Sequence, residues 1–166
     1  MDNTPFSSQI AALLPRMRRF AYTLTSNRED ADDLVQAACE RALRREHQWQ
    51  PGSRLDSWLF RIIYTQRIDN TRLLRSRRLH EPLEEKTFQP EVNHDKEKIE
   101  ANIMLRKVFR AMGQLPENDR AVLGLVCIEG LSYKDSAATL GIATGTVMSR
   151  LSRARKRLHT LVDKNE

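Results

Sequence analysis

Apolar residues recur along this chain at intervals of three and four, the spacing that lines one face of a helix. Ile10, Leu13, Leu14, Met17, Phe20 and Leu24 form a first stripe, with Pro15 marking a break or a first-turn position. Ala31, Leu34, Val35, Ala38 and Ala42 form a second, and Leu55, Trp58, Leu59, Ile62 and Ile63 a third. Ile103, Leu105, Val108, Phe109 and Met112 predict another helix, and Asp119 to Ile128 one more, with Val122, Leu123, Leu125 and Val126 apolar. Sustained period-two alternation and Asn-Gly hairpin turns are missing. The pattern predicts an all-α chain.

The last third is the most strongly punctuated part. Glu129-Gly130-Leu131-Ser132 is a turn signal, and Ser132 followed by Asp135 makes a start like a capping box. Residues 132–142 then predict a short helix, with small Ala137 and Ala138 where a second helix must approach. Gly141 stands where a tight turn between helices demands positive φ. Thr144 suits the N-cap of the helix that follows. In that helix Val147, Leu151, Ala154 and Leu158 are spaced to face a core, which leaves Met148, Ser149, Ser152 and Arg153 outward with Arg150, Arg155, Lys156 and Arg157 alongside. Such a helix fits a major groove, with polar side chains at base edges and cations on phosphates. The competing reading, a solvated basic face on an ordinary helix, explains neither the glycine turn nor the capped start.

Charge divides the chain. Residues 79–100 carry seven acids and three lysines, a net of −4, which leaves +10 on the rest of a chain whose net charge is +6. Two prolines and few apolar residues mark this stretch as a flexible acidic linker, with a helix beginning near Asp95. Fully extended, it reaches on the order of 70 Å. The expected organisation is two small helical domains, 5–78 and 101–163, joined by the linker 79–100. The first ends in a basic run, Arg61, Arg67, Arg72, Arg75, Arg77 and Arg78, broken by one acid, Asp69. Tyr64 and Trp58 interleave with it and Trp49 precedes it, a combination that suits unpaired bases stacked on rings with cations along the backbone. Core packing is the alternative for Trp58, because Trp58 lies on the third stripe.

Several function classes are set aside. No stretch approaches the ~20 apolar residues of a membrane span, and Met1 to Ser8 has no basic segment leading into an apolar run, so no membrane insertion and a cytoplasmic location are expected. Cys39 and Cys127 are far apart and read as reduced core thiols. His47, His80, His94 and His159 are scattered, and neither a nucleophile motif nor a phosphate-binding glycine loop is present. No catalysis, metal or cofactor is expected.

Three segments carry a resemblance. NREDADDLVQAACERAL (27–43) is similar to region 2.2 of the group IV, or extracytoplasmic-function (ECF), sigma factors of bacterial RNA polymerase. WQPGSRLDSWLFRIIYTQRIDNTRLLRSRR (49–78) is similar to their regions 2.3 and 2.4, and its PGSRLDSWLF looks most like the proteobacterial general-stress branch. LPENDRAVLGL, EGLSYKDSAATLG and GTVMSRLSRARKRL, within 115–161, resemble region 4. The resemblance implies that Asp32, Asp33, Leu34, Gln36, Glu40 and Arg41 dock on core RNA polymerase. It implies that the loop with Gln48, Trp49, Gln50, Ser53 and Arg54 captures a flipped base of the minus-ten element. Arg61, Tyr64, Thr65, Arg67 and Arg72 would hold the opened strand and the upstream duplex edge. Met148, Ser149, Ser152 and Arg153 would face minus-thirty-five bases, with Thr144, Thr146, Arg150 and Arg155 on its phosphates. An anti-sigma protein that occludes both domains is a further implied partner.

The chain departs from the family at three places. Thr65 stands where many members carry Asn, Met148 where many carry a basic residue, and Asp135-Ser136 where Glu-Ile is more usual. The first two imply altered base preference. Two other readings stay open at this point: a stand-alone helix-turn-helix regulator, and a sigma-like decoy that binds an anti-sigma protein.

Overall fold

The computed structural model describes residues 3–77 and 96–164. Arg78 and most of the expected linker lie outside the described residues. Among the described residues there is no strand. Three helices form the N-terminal half: α1 (Phe6–Thr25), α2 (Arg28–Arg44) and α3 (Leu55–Arg77), with a 3-10 turn, Glu46–Gln48, between the last two. The C-terminal half holds α4 (Lys96–Gly113), α5 (Glu117–Leu123), α6 (Tyr133–Leu140) and α7 (Thr144–Lys164). A π-helical turn, Gly124–Ile128, continues α5.

Local chemistry accounts for most boundaries. The Asn27 side chain accepts from the Asp30 amide at 2.9 Å and caps α2, whose first turn carries Glu29 and Asp30 and whose last carries Arg41 and Arg44, in the sense the helix dipole favours. Ser132 caps α6 by accepting from the Asp135 amide at 3.0 Å, as the sequence pattern predicts. Gly141 closes α6 at φ +67°, and its amide donates to the Ala137 carbonyl. Two local expectations are corrected. The helix does not break at Pro15: α1 runs through it, and both Pro15 and Ala11 lie on the exposed side, where the Ala11 carbonyl loses its helical donor next to water. Thr144 is not the N-cap of α7; the Thr146 and Val147 amides both donate to the Ala143 carbonyl, so Ala143 holds the cap position and Thr144 opens the helix.

The first two predicted stripes pack as their spacing implies. All five residues of the second are buried, and in the first Ile10, Met17, Phe20 and Leu24 are buried. Each large side chain fully removed from water contributes about 1.5–3 kcal/mol. The core does not stop at the boundary between the halves. Met17, Phe20, Leu59, Phe60 and Ile63 belong to one buried cluster with Val122, Leu125, Leu131 and Val147. Phe20 and Phe60 meet edge to face at 5.2 Å, and the Arg16 guanidinium lies 5.2 Å from the Phe60 ring centre. Gly124 lets α1 approach, since a Cβ there would sit 3.0 Å from Thr23 Cγ2 and 3.3 Å from Phe20 Cδ2. Ile103 and Leu105 of α4 are exposed rather than buried, and Cys127 is at the surface, not in the core.

Candidate nucleic-acid interface

The face that the resemblance assigns to upstream base pairs starts from the packing of α7. Val147, Leu151 and Ala154 are buried against the second half's core, with Leu158 partly so. Helical geometry therefore turns Met148, Ser149, Ser152 and Arg153 to solvent, and Met148 is 52% exposed. Thr144 and Arg155 are exposed, and Thr146 and Arg150 are half-buried at the edges of the same face. Ser149 Oγ donates to the Thr146 carbonyl at 3.1 Å, and Arg155 reaches Cys127 Sγ at 3.7 Å. Arg157 does not belong to this face: its Nη1 donates to Asp119 at 2.7 Å and staples α7 to α5. Ala137 is buried at the α6 contact, whereas Ala138 is exposed.

The N-terminal set divides in two. Arg61, Thr65 and Arg72 share the open side of α3 and are exposed, as are Gln48, Gln50 and Ser53 in the preceding loop, where Ser53 Oγ donates to the Gln50 carbonyl at 2.6 Å. Trp49 is half-buried, its ring 5.5 Å from that of Phe6, and Trp58 packs on Phe6 at 6.1 Å. The remaining three bond to the C-terminal half, Arg54 while keeping 48% of its side chain exposed. Tyr64 is 8% exposed and donates from its hydroxyl to Asn118 at 3.2 Å. Arg67 Nε donates to Glu117 at 3.0 Å. Arg54 spans Asp56 at 2.8 Å and Asp135 at 2.7 Å. Burial pushes the Tyr64 phenol above its ordinary value; the Arg150 guanidinium opposes that and Glu117 adds to it.

On α2, Asp32, Asp33, Gln36 and Glu40 are exposed, and Arg41 leans on Asp69 at 3.6 Å. Leu34 is corrected: at 2% exposure it lies beneath this face, held in the core by the stripe that also contains Ala31 and Val35.

Sequence reasoning missed the charged residues that join the halves. Glu129, whose side chain is fully buried, accepts from Arg16 Nε at 3.0 Å and from Arg19 Nε at 2.7 Å. Arg16 also bonds Asp56 at 2.9 Å. Burial pushes the Asp56 carboxyl up, but the hydrogen bonds from Arg54 and Arg16 outweigh it and hold the group below its ordinary value. Arg19 is raised by its bond to Glu129, and Arg120 is lowered by burial. Among the described residues no cluster of His, Cys, Asp and Glu is placed to hold a metal, and no helix is long and apolar enough to cross a membrane.

Comparison with known proteins matches both halves. Family models for the Sigma2 domain of PhyR and for Sigma-70, region 4 match residues 10–64 and 105–158. The ECF RNA polymerase sigma factor EcfG of Rhodopseudomonas palustris is 36% identical over 154 residues, 92% of this chain and 82% of that protein. The chain belongs to the ECF RNA polymerase sigma factors. Another member, SigE of Mycolicibacterium smegmatis, is 35% identical over 90% of this chain and 58% of its own length. The sigma factor RpoE from Bartonella quintana, solved in complex with the anti-sigma factor NepR, superposes with a TM-score of 0.77 at 30% identity, covering 97% of this ECF sigma factor and 98% of that chain. CnrH, solved with the cytosolic domain of CnrY, gives 0.70 at 25% identity, covering 97% and 89%. The role of the family is regulatory: its members direct RNA polymerase to promoters.

Proposed function

We propose that this ECF sigma factor grips promoter DNA at two points while bound to core RNA polymerase, using residues 5–78 for the polymerase and the minus-ten element and 101–163 for the minus-thirty-five element, with 79–100 as the connection. The observation that carries the reading is the pair of uncovered polar and cationic faces, Arg61, Thr65 and Arg72 on α3 and Met148, Ser149, Ser152 and Arg153 on α7. The α7 face reads duplex base edges, flanked by Thr144, Thr146, Arg150 and Arg155 on phosphates. The α3 face and the loop with Gln48, Trp49, Gln50, Ser53 and Arg54 take the melted strand, and trapping unstacked bases offsets the few kcal/mol each costs. Asp32, Asp33, Gln36, Glu40 and Arg41 form the polymerase-docking side of α2.

The chain carries no catalytic chemistry of its own in this reading and works in the cytoplasm. The likeness to RpoE held by NepR supports control by an anti-sigma protein. A decoy for such a protein has no use for base-reading cations, and Arg61, Arg72 and Arg153 are all presented to solvent. The test is reconstitution. Purified chain added to core polymerase gives promoter-dependent initiation; tight duplex binding by the chain alone, with no initiation, is the result expected of a stand-alone regulator instead.

A further inference from the structure

Between the end of α2 and the start of α3, residues 45–54 are all exposed except Trp49. Among the described residues, the hydrogen bonds of 46–53 close on the loop itself. The Gln48 and Trp49 amides donate to the Arg45 and Glu46 carbonyls at 2.8 and 3.1 Å, and the Ser53 amide and hydroxyl donate to the Gln50 carbonyl at 3.0 and 2.6 Å. The Trp49 ring is therefore the tether of the loop, and it rests on Phe6 at 5.5 Å. Its Nε1 is shielded from water and has no hydrogen-bond partner among the described residues, so apolar packing seats the ring. Phe6 also meets Trp58, in the first turn of α3, edge to face at 6.1 Å. Phe6 itself is 7% exposed and opens α1 in a well-fastened turn. The Ser8 and Gln9 amides donate to the Pro5 carbonyl at 2.9 and 3.1 Å, and Gln9 Nε2 donates to the Thr4 carbonyl at 3.0 Å.

We infer that Phe6 is a positioning residue for base capture at the minus-ten element: packed against both Trp49 of the loop and Trp58 of α3, it sets where Gln48 and Gln50 stand relative to Arg61 and Thr65. The inference rests on the reading of this loop as the base-capturing one. Trp49 is then the anchor of the loop, not a platform on which a base stacks. The glutamines on either side of it are exposed and carry the amide donors and acceptors that a base edge needs. They inherit their placement from the anchored ring between them. Beyond Trp49 the loop gains no second support at its tip, where a Cβ on Gly52 would meet nothing within 4 Å. Small displacements of a binding group are costly, so the seat of Trp49 governs how well one base is told from another. Phe6 lies outside all three segments that carry the resemblance, and through it the first turn of α1 takes part in reading a base that it does not touch.

Phe6→Ala tests this in the full-length chain bound to core polymerase. Initiation is compared on templates that differ at single minus-ten positions and, separately, at single minus-thirty-five positions. The expected result is that preference at one minus-ten position falls about tenfold, the scale of one good base contact. Minus-thirty-five preferences change less than about twofold, as for an independent site. The double variant Phe6→Ala/Trp49→Ala loses no more than Trp49→Ala alone, because the two rings act as one unit. Leu14→Ala, which trims a partly buried side chain two turns further along α1, lowers the melting temperature and leaves minus-ten preference unchanged. A folded Phe6→Ala chain with wild-type minus-ten preference overturns the proposal. So does an equal loss from Leu14→Ala, which would mark a general effect of weakening α1, and so do additive losses from Phe6 and Trp49. Should Phe6→Ala lose helicity, Phe6→Leu is read by the same criteria. Failure of the parent reading shows differently: Gln48→Ala/Gln50→Ala then leaves minus-ten preference intact, whatever the Phe6 variants do.

Discussion

Arg19 and Glu129 form a two-pronged ion pair across the molecule, with Arg19 Nε donating to Oε1 at 2.7 Å and Nη2 to Oε2 at 3.0 Å. Glu129 is fully buried at its side chain while Arg19 is 47% exposed. A buried carboxylate is tolerated because the two guanidiniums of Arg16 and Arg19 satisfy it. Glu129→Gln keeps the shape and loses the charge, and is expected to cost about 2 kcal/mol, the scale of hydrogen bonds to charged groups. Urea unfolding checks this; an unchanged midpoint would place Glu129 outside the stabilising contacts.

Asp56 makes stability depend on pH. Its folded-state value lies below the ordinary 3.8, because the bonds from Arg54 and Arg16 outweigh burial. The stabilisation is thus fully present above the unfolded value and is lost as pH falls through the lower folded one. Between about pH 5 and about pH 3 the urea midpoint of the wild-type chain falls more steeply than that of Asp56→Asn. Parallel slopes contradict this.

Ser136 is fully buried, and its hydroxyl finds no hydrogen-bond partner among the described residues. Ser136→Ala removes an unsatisfied group without opening a large cavity, and is expected to stabilise the fold by about 1 kcal/mol. A higher melting temperature with unchanged duplex binding is the outcome predicted; a lower one implies a partner for Oγ.

Arg153 tests the reading face. In the polymerase complex, Arg153→Ala should cost ~1–3 kcal/mol of discrimination at one upstream base pair. A loss spread evenly over all sequences would mark a phosphate contact instead. Met148→Arg, which restores the basic residue more usual at this position, should shift the preferred upstream base and leave the minus-ten preference unchanged.

Much of the fold was legible because its causes are local. The α2 stripe, the Ser132 cap and the Gly141 turn each depend on residues within a few positions of one another. Leu34 shows how two sequence signals compete: the family pattern places it with the polymerase-docking residues, the apolar spacing places it in the stripe, and the spacing prevails because burial of a leucine is the stronger constraint. The contacts that join the halves were not legible. Glu129 pairs with side chains 110 and 113 positions away, and with 28 basic and 22 acidic residues in the chain no local pattern singles out those partners. Tyr64 shows the consequence, since it falls outside the third apolar stripe yet is 8% exposed, within the shared core and bonded to Asn118 of α5.

The most direct test of the central claim is a selection of transcribed templates from a randomised promoter library by core polymerase carrying this chain. The account predicts that enriched templates share two sequence blocks at a fixed separation, and that Arg153→Ala relaxes the upstream block alone. Enrichment of a single block, or of none, would contradict a two-point grip on promoter DNA.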